Sequence, residues 1–152
     1  LIIKKIILDC DPGHDDAVAI MLAAASKEIE ILGITCVAGN STLENTKLNA
    51  LKICSLIDKT NIPIFGGADR PINVDLVTAA HVHGESGLDV EGSALEIANN
   101  FKIQDLNAVD FIIQACLNQH EPIYLCPTGP LTNIALAIKK EPLIKLLSYY
   151  SP

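Results

Sequence analysis

An apolar run, Ile2 to Leu8, stops at Asp9-Cys10-Asp11-Pro12-Gly13, and the hydrophobic spacing then switches to a helical one from Asp15. The run is interrupted only by Lys4 and Lys5, too continuous for a half-exposed strand and too short for a helix, so it reads as a buried strand. After the turn, Val18, Met21, Leu22 and Ala25 fall at i, i+3, i+4 and i+7 and predict one apolar helix face. The same unit recurs. Residues 30 to 37 read as a second strand, and Ala38-Gly39-Asn40 leads to a helix with Leu43, Ala50, Leu51, Cys54 and Ile57 on one stripe. A short third strand, Pro63 to Phe65, stops at Gly66-Gly67, and the stretch from there to about Phe101 is rich in Gly, Asp, His and Ser without clear period. A segment of that length is usually functional or partly helical.

Regular spacing returns with a predicted helix near 108 to 119, carrying Val109, Ile112, Ile113 and Cys116, and a strand from Ile123 to Cys126. Pro127-Thr128-Gly129 ends that strand, and Pro130 suits the first turn of a helix whose face is Leu131, Ile134, Ala135 and Ile138. Thr128 is a candidate cap for that helix, Lys139-Lys140 complement its carboxyl end, and Pro142 closes it. Strands alternating with helices predict an α/β chain, with an open, mostly parallel sheet and helices on both faces, as a single domain over residues 1–152. Ligands of such sheets bind beyond the carboxyl ends of the strands: here Asp9 to Asp16, Ala38 to Asn40, Gly66 to Asp69, and Cys126 to Gly129.

Composition narrows the partners. With 49% hydrophobic residues the chain can fill a core, and its net charge of −7 without a run of Lys or Arg longer than two residues argues against nucleic acid or an anionic membrane. The longest apolar stretch, Ala17 to Ala25, is far too short to span a bilayer, and the opening residues lack the cleavage pattern of a secretory signal. Five cysteines at no metal or redox spacing suit buried thiols in a reducing cytoplasm. A small-molecule ligand is the expectation.

Four carboxylates within eight residues, Asp9, Asp11, Asp15 and Asp16, at the end of a buried strand repel one another and need a reason. A structural account puts Asp15 and Asp16 at a helix N-terminus, worth roughly 0.3–1 kcal/mol each, and Asp11 in an Asp-Pro-Gly turn. A functional account is a hard-cation site, because oxygen donors without sulfur or imidazole suit Ca2+ or Mg2+ better than zinc. The same acids can also grip sugar hydroxyls.

The run Ile7 to Ala17, containing Asp9-Cys10-Asp11-Pro12-Gly13-His14-Asp15-Asp16, resembles the N-terminal signature of the inosine-uridine preferring nucleoside hydrolases. Val37-Ala38-Gly39-Asn40, Val82-His83-Gly84 and Cys126-Pro127-Thr128-Gly129-Pro130-Leu131-Thr132-Asn133 follow in family order. The resemblance implies hydrolysis of the N-glycosidic bond of purine or pyrimidine ribonucleosides by a Ca2+-activated water. It implies metal ligation by Asp11, Asp16 and the backbone carbonyl of Thr128, with Asp11 also the general base. It further implies ribose binding by Asp15 and Asn40, a role for His83 on the nucleobase side, and a bracing role for Asp9. Family members are longer and commonly homo-oligomeric, and their second half supplies another Asp to the metal, ribose-binding Asn and Glu, and often a His near the leaving base. The polar ending Ser148 to Pro152 does not read as the strand with which the family continues. Two expectations follow: a nucleoside hydrolase, or a catalytically inactive remnant of one that at most binds Ca2+ or ribose weakly. A strand followed by Asp9-x-Asp11 also resembles the haloacid dehalogenase-like phosphatases, with Asp9 as nucleophile, but that pattern leaves Asp15-Asp16 and the later motifs unexplained.

Overall fold

A computed structural model describes residues 2–89, 95–146 and 148–150. Five parallel strands, β1 (Lys4–Cys10), β2 (Ile29–Cys36), β3 (Ile64–Gly66), β4 (Ile123–Pro127) and β5 (Ser148–Tyr150), form one sheet in the order β3-β2-β1-β4-β5. Helices α1 (His14–Ala25), α2 (Leu43–Leu56), α3 (Ala80–His83), α4 (Ala108–Asn118) and α5 (Thr132–Lys140), and a 3-10 helix at Pro142–Leu146, occupy the connections.

The pleat of β1 divides the core. Ile6, Leu8 and Cys10 point to the side where Ala17, Ile20 and Ala23 of α1 and Ala50, Ile53 and Cys54 of α2 pack. Ile7 points the other way, into a cluster with Ile112 and Cys116 of α4, Ile134 and Ala137 of α5, Ile123, Leu125 and Ile144. Helices therefore cover both faces, as the alternating sequence predicts, and each fully buried Ile or Leu contributes about 1.5–3 kcal/mol. Gly33 in β2 leaves room for the stacked rings of Phe65 and Phe111, whose centroids lie 3.8 Å apart; an added Cβ would come 2.8 Å from Phe111.

Several expectations are corrected. Strand β1 starts later than residue 2, with Ile2 and Ile3 exposed, because pairing with β2 begins at Lys4; it continues through Asp9 and Cys10, opposite Thr35 and Cys36. The inward face of α1 is Asp16, Ala17, Ile20 and Ala23, whereas Val18 and Leu22 are exposed. The helix is apolar on nearly every side, so spacing alone does not select the face that docks. In α5 the inward residues are Asn133, Ile134 and Ala137, while Leu131 and Ala135 are exposed. Pro130 precedes the cap residue Leu131, so Thr128 does not cap this helix. The polar segment Ser148–Tyr150 does pair, in parallel, with Ile123 to Leu125. Among its described residues the aperiodic stretch after Gly67 contains one short helix, α3; residues 90–94 of it lie outside the described residues.

All five cysteines are free. Burial raises the thiols of Cys54 and Cys116 to about 11 and pushes Cys10 and Cys36 well above their ordinary range. Cys126 alone is partly exposed. A thiol reagent on the native protein is therefore expected to label Cys126 first and the other four only on unfolding, checked by peptide mass mapping. Rapid native labelling of Cys10 or Cys36 would contradict this packing.

Candidate active site

From β1 the chain moves outward through β2 and β3, then crosses back to place β4 on the other side of β1. That reversal opens a crevice beyond the carboxyl ends of β1 and β4, the place where ligands of open α/β sheets bind. Three segments meet there: Asp9 to Asp16 after β1, Val37 to Asn40 after β2, and Thr128-Gly129 after β4. The backbone N–H groups of Thr128 and Gly129 both donate to the carbonyl of Asp9, at 2.9 and 3.3 Å, and lock the β1 and β4 ends together.

Asp11 sits at the centre, only 5% exposed. Its Oδ2 accepts from the backbone N–H of Asn40 at 2.6 Å, while Asn40 Nδ2 donates to the Asp11 carbonyl at 3.1 Å. The Asp11 N–H donates to Asp16 Oδ2 at 3.2 Å, and the Asp16 carboxylate also hydrogen-bonds the Thr128 side chain. Two glycines make room for Asp11. A Cβ at Gly39 would overlap Asp11 Oδ2, and one at Gly129 would lie 2.5 Å from Oδ1. Burial, then the charge of Asp16, raises Asp11 to about 6 against the pull of the Asn40 N–H. Burial likewise raises Asp16, opposed by its hydrogen bond to Thr128 and reinforced by the charge of Asp15.

Asp9 lies below, 1% exposed, on the sheet rather than in the loop. Its Oδ1 accepts from Thr35 Oγ1 at 2.6 Å and from Asn133 Nδ2 at 2.9 Å, while Oδ2 is buried without a hydrogen-bond partner among the described residues. Burial raises Asp9 to about 6 despite those two bonds. Asn133 also donates to the Cys36 carbonyl at 3.0 Å and accepts from Ala68 N–H at 2.8 Å, tying the ends of β1, β2 and β3 to α5.

His83 reaches the crevice from α3. Its ring lies over Gly13, where an added Cβ would come 2.7 Å from Nδ1, and stacks on His14 at 5.9 Å between centroids. Asn40 Nδ2 lies 3.2 Å from the same Cβ position, so Asn40 and His83 flank Gly13 together. Asp11, Asp16, Thr128, Asn40 and His83 thus converge. Asp15 is exposed in the first turn of α1 and acts on the cluster through its charge, and His81 stays exposed. Sequence reasoning missed Thr35, Asn49 and Asn133. For Thr35 and Asn49 the available signal was a polar residue on an otherwise apolar buried stretch, whereas Asn133 already closes the motif that begins at Cys126.

The donor chemistry suits a hard cation: Asp11 and Asp16 converge with Thr128, all oxygen donors, and burial makes ionising both acids costly without a counter-charge. Among the described residues no group of three or more His, Cys, Asp or Glu gathers as a metal cluster. Among them, too, no helix is long and apolar enough to cross a membrane.

The family model for inosine-uridine preferring nucleoside hydrolases matches residues 6–148. The pyrimidine-specific ribonucleoside hydrolase RihA of Shewanella sp. (strain MR-7) is 48% identical over 135 residues, 89% of this chain and 42% of that protein. RihB of Escherichia coli O1:K1 / APEC, also described as pyrimidine-specific, is 45% identical over 141 residues, 93% of this chain and 44% of that protein. Among solved structures, the purine-preferring ribonucleoside hydrolase from Gardnerella vaginalis superposes with a TM-score of 0.87 at 36% identity, over 95% of this chain and 46% of that one. The plant nucleoside hydrolase PpNRh1 gives 0.86 at 32% identity, over 95% and 45%. The chain spans less than half the length of these relatives and, on motif, sequence and fold together, belongs to the inosine-uridine preferring nucleoside hydrolase family.

Proposed function

We propose that this chain builds the cation- and ribose-binding half of a ribonucleoside hydrolase site, with Asp11 as general base. The observation that carries the reading is the Asp11 carboxylate, fixed between Gly39 and Gly129, bonded by Asn40 and joined through its backbone to Asp16. A carboxyl raised to about 6 is closer to neutral pH than an ordinary Asp and accepts a proton more readily near neutrality. Asp11 takes a proton from the attacking water as the water oxygen bonds to the anomeric carbon. The bond from that carbon to the base nitrogen breaks, its electron pair leaves with the base, and a proton delivered on the base side completes ribose and free base. Asn40 and Asp15 orient the ribose hydroxyls, and His83, over Gly13, lies on the base side. Asp11, Asp16 and the Thr128 carbonyl would hold Ca2+, which when bound supplies Lewis-acid polarisation of an oxygen ligand. The free thiols suit a reducing compartment such as the cytoplasm.

The test is reducing-sugar release from inosine and from uridine, with Ca2+ or with chelator, beside Asp11→Ala. Chelator-sensitive release that disappears in the variant is expected. Release that persists in Asp11→Ala removes Asp11 from the reaction. A second reading, a chain that binds the cation without turnover, is favoured by the lack of a third acidic or imidazole ligand among the described residues. Calcium calorimetry showing binding, together with no sugar release, would select it.

A further inference from the structure

The turn that follows His83 is folded on itself and fastened to α2 at two adjacent points. Asp89 accepts from the N–H groups of Glu85 and Ser86 and from the Ser86 hydroxyl, closing the turn, and Gly84 and Gly87 adopt φ of +80° and +79°. Asn45 Nδ2 donates to the Glu85 carbonyl at 3.2 Å, and Asn49 Nδ2 donates to the Ser86 carbonyl at 2.9 Å. Asn45 and Asn49 are four residues apart on α2, so one helical face presents two amides to two consecutive carbonyls. Asn49, 1% exposed, also donates from Nδ2 to the Pro12 carbonyl at 3.0 Å, inside the loop that carries Asp11.

A buried amide with both donors used on two different loops has no role in the hydrophobic core around Ile53 and Cys54. Burying a polar group costs free energy unless it is bonded, and an apolar residue of similar size would fill the position without that demand. Its effect is to fix the distance between the Asp11-Pro12-Gly13 loop and the His83 turn. We propose that Asn45 and Asn49 are positioning residues, a two-pronged clasp on α2 that holds His83 over Gly13 and therefore on the base side of the site. The catalytic consequence rests on the hydrolase reading; the clasp itself does not.

The chain is small enough for NMR at 16.3 kDa. In the wild type, the His83 ring proton on Cε1 should show a clear nuclear Overhauser effect to the Gly13 α protons, since an added Cβ there would lie 3.0 Å from that carbon. Asn49→Ala and Asn45→Ala should each weaken it, the double variant abolish it, and Asn45→Gln, which keeps a donor, restore it. Contacts between Ile7 and Ile112 report whether the core has stayed folded, and the milder, partly exposed Asn45→Ala decides the matter if Asn49→Ala unfolds. An undiminished His83–Gly13 effect in folded variants overturns the clasp.

The catalytic arm compares natural nucleosides with a nitrophenyl riboside, whose phenolate leaves without a proton. Loss of the clasp should lower kcat on inosine or uridine by about tenfold or more while changing the nitrophenyl substrate by less than about threefold. Equal losses on both substrates would overturn the link to base departure. If the wild-type chain releases sugar from neither, the hydrolase reading fails for this chain, and the NMR result still decides the clasp.

Discussion

Replacing Gly39 by alanine is expected to lower Ca2+ affinity about 10- to 100-fold and any ribose release about 100-fold, although the residue itself touches neither ligand. The new methyl group would overlap Asp11 Oδ2. A flexible side chain would step aside, but Asp11 is short and enclosed on both sides. Its other oxygen faces Gly129, where a Cβ would stand 2.5 Å away, and the Asn40 N–H holds Oδ2 from the Gly39 side at 2.6 Å. The carboxylate must therefore rotate away from Asn40 and Asp16 together, breaking the arrangement of two acids on which the proposed cation site rests. Gly66→Ala is the matched control. There the added atom meets Lys47 Cδ at 2.8 Å, a long side chain free to shift, and calorimetry and sugar release should match the wild type. Wild-type Ca2+ affinity in Gly39→Ala would show that Asp11 is not a ligand in the position described.

The parts of this design that the sequence announces are those with a local signature. Continuous apolar runs ending in Gly, Pro and Asp mark β1, β2 and β4, and the reversal to helical spacing marks α2 and α4, so the alternation and the carboxyl-end loops follow from the chain alone. Four acids in one loop and the Gly39-Asn40 pair are equally visible. What stays hidden depends on which strand lies beside which. Thr35 serves the site only because β2 pairs with β1 in a register that sets it opposite Asp9. Asn133 matters only because α5 returns beneath the ends of β1, β2 and β3. The docking face of α1 is hidden for a related reason: Val18 and Leu22 are as apolar as Ile20, and the docking surface supplied by β1 and α2 makes the choice. Ser148–Tyr150 forms a strand because β4 offers it an open edge, which no hydropathy pattern within the segment reveals.

Asp9→Asn is expected to stabilise the cation-free protein at neutral pH, with a rise in Tm on the order of 6–12 °C. Burial lifts the Asp9 carboxyl from an ordinary 3.8 to about 6, a differential interaction of about 3 kcal/mol between its two protonation states. A raised carboxyl contributes stability that is fully present below its ordinary value and is lost as pH climbs through about 6. The cost is therefore carried above that pH. Asparagine keeps an oxygen to accept from Thr35 and Asn133 and removes the charge, so the difference in Tm between variant and wild type should be near zero at pH 4 and reach its plateau by about pH 7. Asp11 and Asp16 are raised as well, so Asp9→Asn should retain part of the wild-type decline with pH, and saturating Ca2+ should suppress that remainder by favouring their ionised forms. Thermal unfolding of both proteins across pH 4 to 8, once in chelator and once with saturating Ca2+, measures all of this. A variant less stable than the wild type at pH 8 would mean that the ionised Asp9 carboxylate holds the strand ends through a partner that outweighs its burial, and that the charge belongs to the architecture of the loop.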